Sequence, residues 1–136
     1  MYQNILIPIA PDHVDLLPRQ LEAANRLLAD GGKITAVSVV EDFPAHVAEY
    51  IVVRPDHEEI AKRAVETLDQ LLADHPNIAR SVLSGKPGVV LAEHAAKIGA
   101  DLIVACASRP GSSGYALGST SSRLTRRAAC SVMVLR

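Results

Sequence analysis

Five short apolar runs, each separated from the next by a polar or amphipathic stretch, constrain this 136-residue chain more than any other feature. Tyr2 to Ile9 carries ILIPI, which is apolar on both alternating faces. The second run is Lys33 to Val40 (KITAVSVV), the third Ile78 to Leu83, the fourth Leu102 to Ala107 and the last Cys130 to Leu135. A strand with one wet face alternates apolar and polar residues, whereas a strand covered on both faces reads as a continuous apolar run. The stretches between them have helical spacing. Leu17, Leu21, Ala24 and Leu28 form one stripe of a helix expected over about Leu16 to Ala29, closed by Gly31-Gly32. Ile60, Ala64, Leu68, Leu71 and Leu72 line a second over Asp56 to Asp74, in which Glu58 and Lys62 stand at i, i+4. Gly85-Lys86-Pro87-Gly88 leads into a third over about Val89 to Ile98, stopped by Gly99.

Strand and helix therefore alternate from end to end. The expected fold is α/β, an open five-stranded, mostly parallel sheet with helices on both faces. Glu41 to Pro55 is punctuated by Pro44 and Pro55 and reads as a flap-like loop with a helical turn or two. No repeat, low-complexity tract or linker divides the chain, so residues 1–136 are expected to form one domain. Aromatics make up only 3% of residues while hydrophobics make up 49%, so the core falls to Val, Ile, Leu and Ala.

Composition also narrows function. No apolar run approaches 18 residues, and MYQNILIPIA lacks the basic flank of a signal peptide. A cytoplasmic protein with no membrane association is expected. Cys106 and Cys130 have no CxxC spacing and read as small buried hydrophobes. The five histidines show no HExxH or paired spacing, so no metal site is expected. Residues 101–136 hold five Arg against one Asp, net +4, which leaves −5 for residues 1–100. That balance fits a small anionic ligand or a solvated helix face. With no basic run or aromatic platform, it does not point to nucleic acid.

The chemistry-bearing stretch is the last third. After the fourth strand comes a loop, Ser108 to Gly118, and then Ser119-Thr120-Ser121-Ser122 opens a helix that carries Arg123, Arg126 and Arg127. The first turn of a helix has amides with no intrahelical partner and a dipole that favours negative charge. Gly118 allows close approach, so this start suits a phosphate. It equally suits an ordinary Ser/Thr cap. In open α/β sheets ligands sit beyond the carboxyl ends of the strands, where strand order reverses. Pro8 to Ala10 and Cys106 to Arg109 are both expected on that edge.

Several segments together resemble the universal stress protein family, in particular a short ATP-binding bacterial branch, over essentially the whole length. They are ILIPI, Gly85-Lys86-Pro87, Ser108-Arg109-Pro110, Tyr115, Leu117-Gly118-Ser119, Arg127-Ala128 and CSVMVLR from Cys130. The resemblance implies a Rossmann-like fold, an adenine-nucleotide site that takes ATP, with Mg as its companion ion, and a symmetric homodimer through the C-terminal strand. It implies that Pro8 and Val39 frame the adenine. Ser108, Arg109, Gly118, Ser119 and Thr120 would hold the phosphates. The family's fuller pattern is glycine, two residues, glycine, nine residues, then Gly-Ser or Gly-Thr. Here the first two glycines are Cys106 and Arg109, and eight residues separate Arg109 from Gly118. The acidic residue usual after the first strand is Ala10, and Asp12 is the nearby carboxylate that would replace it.

Three functions stay open on these residues. One is a nucleotide-binding regulatory dimer. Another is a slow ATPase or self-modifying nucleotidyl or phosphoryl transferase, for which no catalytic residue is assigned; GKPG at 85–88 is no Walker motif. The third is a nucleotide-free dimeric interaction module.

Overall fold

The computed structural model describes residues 1–11, 14–41, 57–107 and 117–136, apart from the side chain of His57. Within them the order is β1 (Tyr2–Pro8), α1 (Leu17–Leu27), β2 (Leu28–Val40), α2 (His57–Leu71), β3 (Ala79–Ser84), α3 (Pro87–Ile98), β4 (Leu102–Cys106), α4 (Ser119–Arg127) and β5 (Ser131–Leu135). The strands form one sheet in the order β3-β2-β1-β4-β5, and all four pairings are parallel. The chain winds outward from β1 through β2 to β3, then crosses back to β4 and outward again to β5. Strand order therefore reverses between β1 and β4. The stretch 42–56, expected as a flap-like loop, lies outside the described residues, as does 108–116, most of the loop expected after β4.

The alternation of side chains across each strand builds two cores. On one face Ile5, Ile7, Ile9, Ile34, Ala36, Leu102 and Val104 pack with Leu17, Leu21 and Ala24 of α1 and with Leu68 and Leu72 at the end of α2. On the other face Leu6, Val37, Ile103 and Ala105 pack with Leu91 and Ala95 of α3 and Leu124 of α4. The apolar runs are thus covered on both sides. Truncating one of these fully buried leucines to alanine typically costs about 2–5 kcal/mol, so the sheet is a stiff base for whatever stands on its edges.

The junction of α1 and β2 differs from the expectation. The helix ends at Leu27, and Leu28 is already extended (φ −71°, ψ 127°), so Gly31-Gly32 does not cap it. The glycines lie inside the start of β2, where one residue of β1 (Gln3) is matched by four of β2 (29–32) between the pairs Tyr2↔Leu28 and Asn4↔Lys33. The surplus residues need a bulge, and Gly31 at φ 75° supplies the left-handed step. Both cysteines are free and half-buried, less enclosed than the apolar runs suggested. On α2, Arg63 pairs with Glu59 (2.9 Å) and Asp69 with Arg80 of β3 (3.1 Å).

Candidate functional site

The reversal point is also where the sheet comes apart. Backbone groups of a strand point alternately to its two neighbours. The Ile9 amide donates to Val37 O (2.8 Å), so odd residues of β1 serve β2 and even residues face β4. The Ala107 amide donates to Leu135 O (2.7 Å), so odd residues of β4 serve β5 and even residues face β1. The two central strands pair at Ile5↔Leu102 and Leu6↔Ile103 and no further. Each nevertheless continues on its outer side, to Pro8↔Val37 and to Cys106↔Leu135. Two residues beyond Leu6, the next donor to Val104 O would be the nitrogen of Pro8, and proline has no N–H. The ladder stops for a covalent reason.

Gln20 of α1 occupies the place of the missing donor. It is 3% exposed, and its Nε2 donates to Val104 O (3.0 Å) and to Pro8 O (3.1 Å). An amide nitrogen with two hydrogens meets two carbonyls, which fixes the orientation of the side chain. On the other side of β1, Ser38 Oγ donates to Ile9 O (2.8 Å), so the end of β1 is held by side chains from two elements.

The start of α4 is tied to the end of β4, one of the two strands that border this split. Gly118 is its N-cap, and no side chain caps the helix among the described residues. Of the hydroxyls that suited either a phosphate or a cap, Ser121 Oγ donates to Cys106 O, while Ser119 is exposed and Thr120 half-buried. The Gly118 amide donates to Ala107 O, so two hydrogen bonds bind the helix start to the end of β4. The first turn holds no acidic residue, and Arg126 and Arg127 lie in the last turn. A positively polarised helix end, with no side-chain cap among the described residues, therefore stands at the end of β4, which borders the gap. A second helix start is close by. A Cβ on Gly88, in the first turn of α3, would lie 2.6 Å from Arg123 Cβ, so glycine is needed for the two helices to approach so closely.

Of the residues singled out from sequence, Pro8 (half-buried, end of β1), Ala10 (exposed, just beyond it), Val39 (half-buried, end of β2), Gly118, Ser119 and Thr120 all lie on the carboxyl edge of the sheet. Asp12, Ser108 and Arg109 lie outside the described residues. Cys106 ends β4 at this edge. Burial pushes its thiol up from the ordinary value, and nearby Arg19 only partly offsets this, so it stays protonated at neutral pH and is a poor nucleophile. Among the described residues no three His, Cys, Asp or Glu side chains come together as a metal site, and no helix is long and apolar enough to cross a membrane. Sequence reasoning missed Gln20 and Gly88. Gln20 had a signal: a glutamine three residues after Leu17 and one before Leu21, on the buried face of α1, opposite a strand that ends in proline.

A doubly wound parallel sheet, split at its reversal point beside an uncapped glycine-led helix start, defines the class of α/β proteins that receive ligands at the carboxyl edge. The chain belongs to the universal stress protein family, whose sequence profile matches residues 1–136. The fold is similar to that of universal stress protein UspA from Lactobacillus plantarum, at 26% identity and TM-score 0.69, covering 99% of this chain and 98% of that one. It is also similar to a universal stress protein in complex with cAMP (23% identity, TM-score 0.63, 99% and 97% covered). A universal stress protein from Archaeoglobus fulgidus in complex with dAMP matches at 18% identity and TM-score 0.64, with 99% and 98% covered. No functionally curated protein matches the chain.

Proposed function

We propose that the chain binds an adenine nucleotide, ATP with its Mg2+, across the split between β1 and β4, and acts as a regulatory dimer. The observation that carries this reading is the split itself, set against the uncapped N-terminus of α4. The adenosine end would lie over the ends of β1 and β2, framed by Pro8 and Val39, with Ala10 leaving the neighbouring position without a carboxylate. The phosphates would meet the amides of Gly118, Ser119 and Thr120, joined by Ser108 and Arg109. Asp12 would approach the ribose. The Mg2+ would arrive on the phosphates as their counter-ion. Two family members of this fold are complexes with cAMP and dAMP, which supports an adenine nucleotide as the ligand class.

β5 is an edge strand, and Val132, Met133, Val134 and Leu135 are each only partly buried in the single chain. An open apolar edge needs covering, and a second copy pairing β5 across a two-fold axis would cover it. Light scattering at micromolar concentration should give the mass of a dimer; a monomer would contradict this part.

The test of the site is direct. The freshly purified protein is denatured and any released nucleotide identified by chromatography and mass. Stoichiometric ATP is expected. A protein that emerges empty and shows no heat with Mg-ATP, cAMP or AMP by calorimetry would sink the reading.

A further inference from the structure

Gln20 and Pro8 form a matched pair. Proline at the end of β1 removes the N–H that would carry the β1–β4 ladder one rung further, and this leaves the Val104 carbonyl without its strand partner. The Pro8 carbonyl also faces β4, by the same alternation that turns Ile9 toward β2. A buried carbonyl at Val104 and a partly buried one at Pro8, both left unsatisfied, would be costly. They could be relieved by water entering between the strands, or by the strands closing in another register. The side chain of Gln20 does neither. It enters from α1, 97% enclosed, and gives one hydrogen to each carbonyl (3.1 and 3.0 Å). A side-chain amide is thicker than a backbone rung, so the strand ends are held apart as well as joined.

That spacing matters because the two strands carry different halves of the proposed site. The end of β1, tied to β2 through Ser38, carries Pro8 and Ala10. The end of β4, tied to α4 through Ser121 and Gly118, carries the phosphate-facing helix start. We infer that Gln20 is a positioning residue that sets the distance between the adenosine half and the phosphate half of the cleft. This rests on the nucleotide-site reading above. Gln20 touches no ligand in this role; it acts through the two strand ends.

The Gln20→Met variant tests it, since Met keeps the volume and removes both donors. Its affinities for ATP, for adenosine and for inorganic triphosphate are measured by titration calorimetry or ligand NMR beside those of the wild type, on protein shown to be folded by circular dichroism. A ligand that spans both halves depends on their spacing, whereas each fragment depends on one half only. The expected result is about a tenfold weaker Kd for ATP, with adenosine and triphosphate unchanged. ATP bound as tightly as by the wild type would overturn the inference, and so would a parallel loss of all three ligands, which marks a general loss of structure. Wild type that binds none of them defeats the site reading and the positioning role together. If the variant does not fold, the wild type still decides. Scalar couplings across the hydrogen bonds from Gln20 Nε2 to the Pro8 and Val104 carbonyls should be detectable by NMR, and their absence would overturn the proposal.

Discussion

The seam between β1 and β4 is held by opposite chemistry at its two ends. At the amino edge the Asp101 carboxylate accepts from the Gln3 and Asn4 amides (both 2.9 Å), the Asp101 amide donates to Asn4 O (2.9 Å), and Asn4 Nδ2 reaches Ile98 O (2.6 Å). At the carboxyl edge an amide donates to two carbonyls. One end has backbone donors to spare and is closed by an acceptor that carries charge. The other has backbone acceptors to spare and is spaced by a neutral donor. A carboxylate that takes two N–H groups draws both strands together, whereas a side chain laid between two carbonyls keeps them apart. The sheet is thereby zipped at one edge and opened at the other, and the open edge is the one that carries the candidate site.

The zipped end should show the largest effect. Hydrogen bonds to a charged acceptor contribute about 1.5–3 kcal/mol each, but the bond from Gln3 is exposed and the one from Asn4 only partly buried, so Asp101→Ala is expected to lower unfolding stability by about 2 kcal/mol in all. Urea denaturation would read this as a lower midpoint at unchanged slope. The comparison also predicts a pH signature. Burial pushes the Asp101 carboxyl up, but the Gln3, Asn4 and Asp101 amides, helped by the N-terminal ammonium, outweigh it and hold the group below its ordinary value of 3.8. A depressed carboxylate contributes stability that is fully present above the unfolded value and is lost as pH falls through the folded one. The wild type should therefore lose this increment below about pH 4, and Asp101→Asn should lack that part of the acid limb. An unchanged acid limb in Asp101→Asn would mean that the carboxylate does not close the seam.

The spaced end should be the weaker of the two. Gln20→Met leaves a buried and a partly buried carbonyl without partners but removes no charge, and about 1–2 kcal/mol is expected. The loss should also be local. Hydrogen exchange should accelerate in the peptides that end β1 and β4 and stay slow at Gln3, Asn4 and through β2 and β3. Faster exchange over the whole sheet would erase the distinction between the two ends.

Much of the layered architecture was legible in the sequence, because it rests on local patterns. Continuous apolar runs such as ILIPI declare burial on two faces, and Gly99 marks a helix end where the structure has it, while the helix expected from about Val89 opens at Pro87. The edge that carries Pro8 and Ala10 followed from the alternation of strands and helices, whereas Val39 was reached only through the family resemblance and Gly118 to Thr120 through the helix-start pattern and that resemblance. The start of β2 was misread because Gly31-Gly32 serves a bulge as readily as a helix end, and the register with β1 decides between them. Gly88 was invisible because its need for no side chain comes from Arg123, 35 positions away in a different helix. Gln20 was passed over because the stripe of Leu17, Leu21 and Ala24 explains α1 without it. Its role needs Pro8 and Val104 to be known as neighbours, a fact of tertiary structure.

The smallest effect is the most specific. Pro8→Ala restores the N–H that faces Val104 O, so the rung lost to proline becomes available again. By itself the change frees the unfolded chain, which costs about 0.4–1 kcal/mol, and the recovered donor offsets part of this while Gln20 still holds the carbonyl. In a chain that also carries Gln20→Met the recovered donor has no competitor. The double variant should therefore be more stable than the sum of the two single changes predicts, by about 0.5–1 kcal/mol. Independent sites add to within about 0.3–0.5 kcal/mol, so strict additivity would show that Gln20 does not replace the proline's missing rung. A coupling of the expected sign would show that the backbone donor can take the glutamine's place on Val104 O. A rung formed by backbone alone would bring β1 and β4 closer than the side chain holds them, and a closed seam would narrow the cleft proposed for the nucleotide.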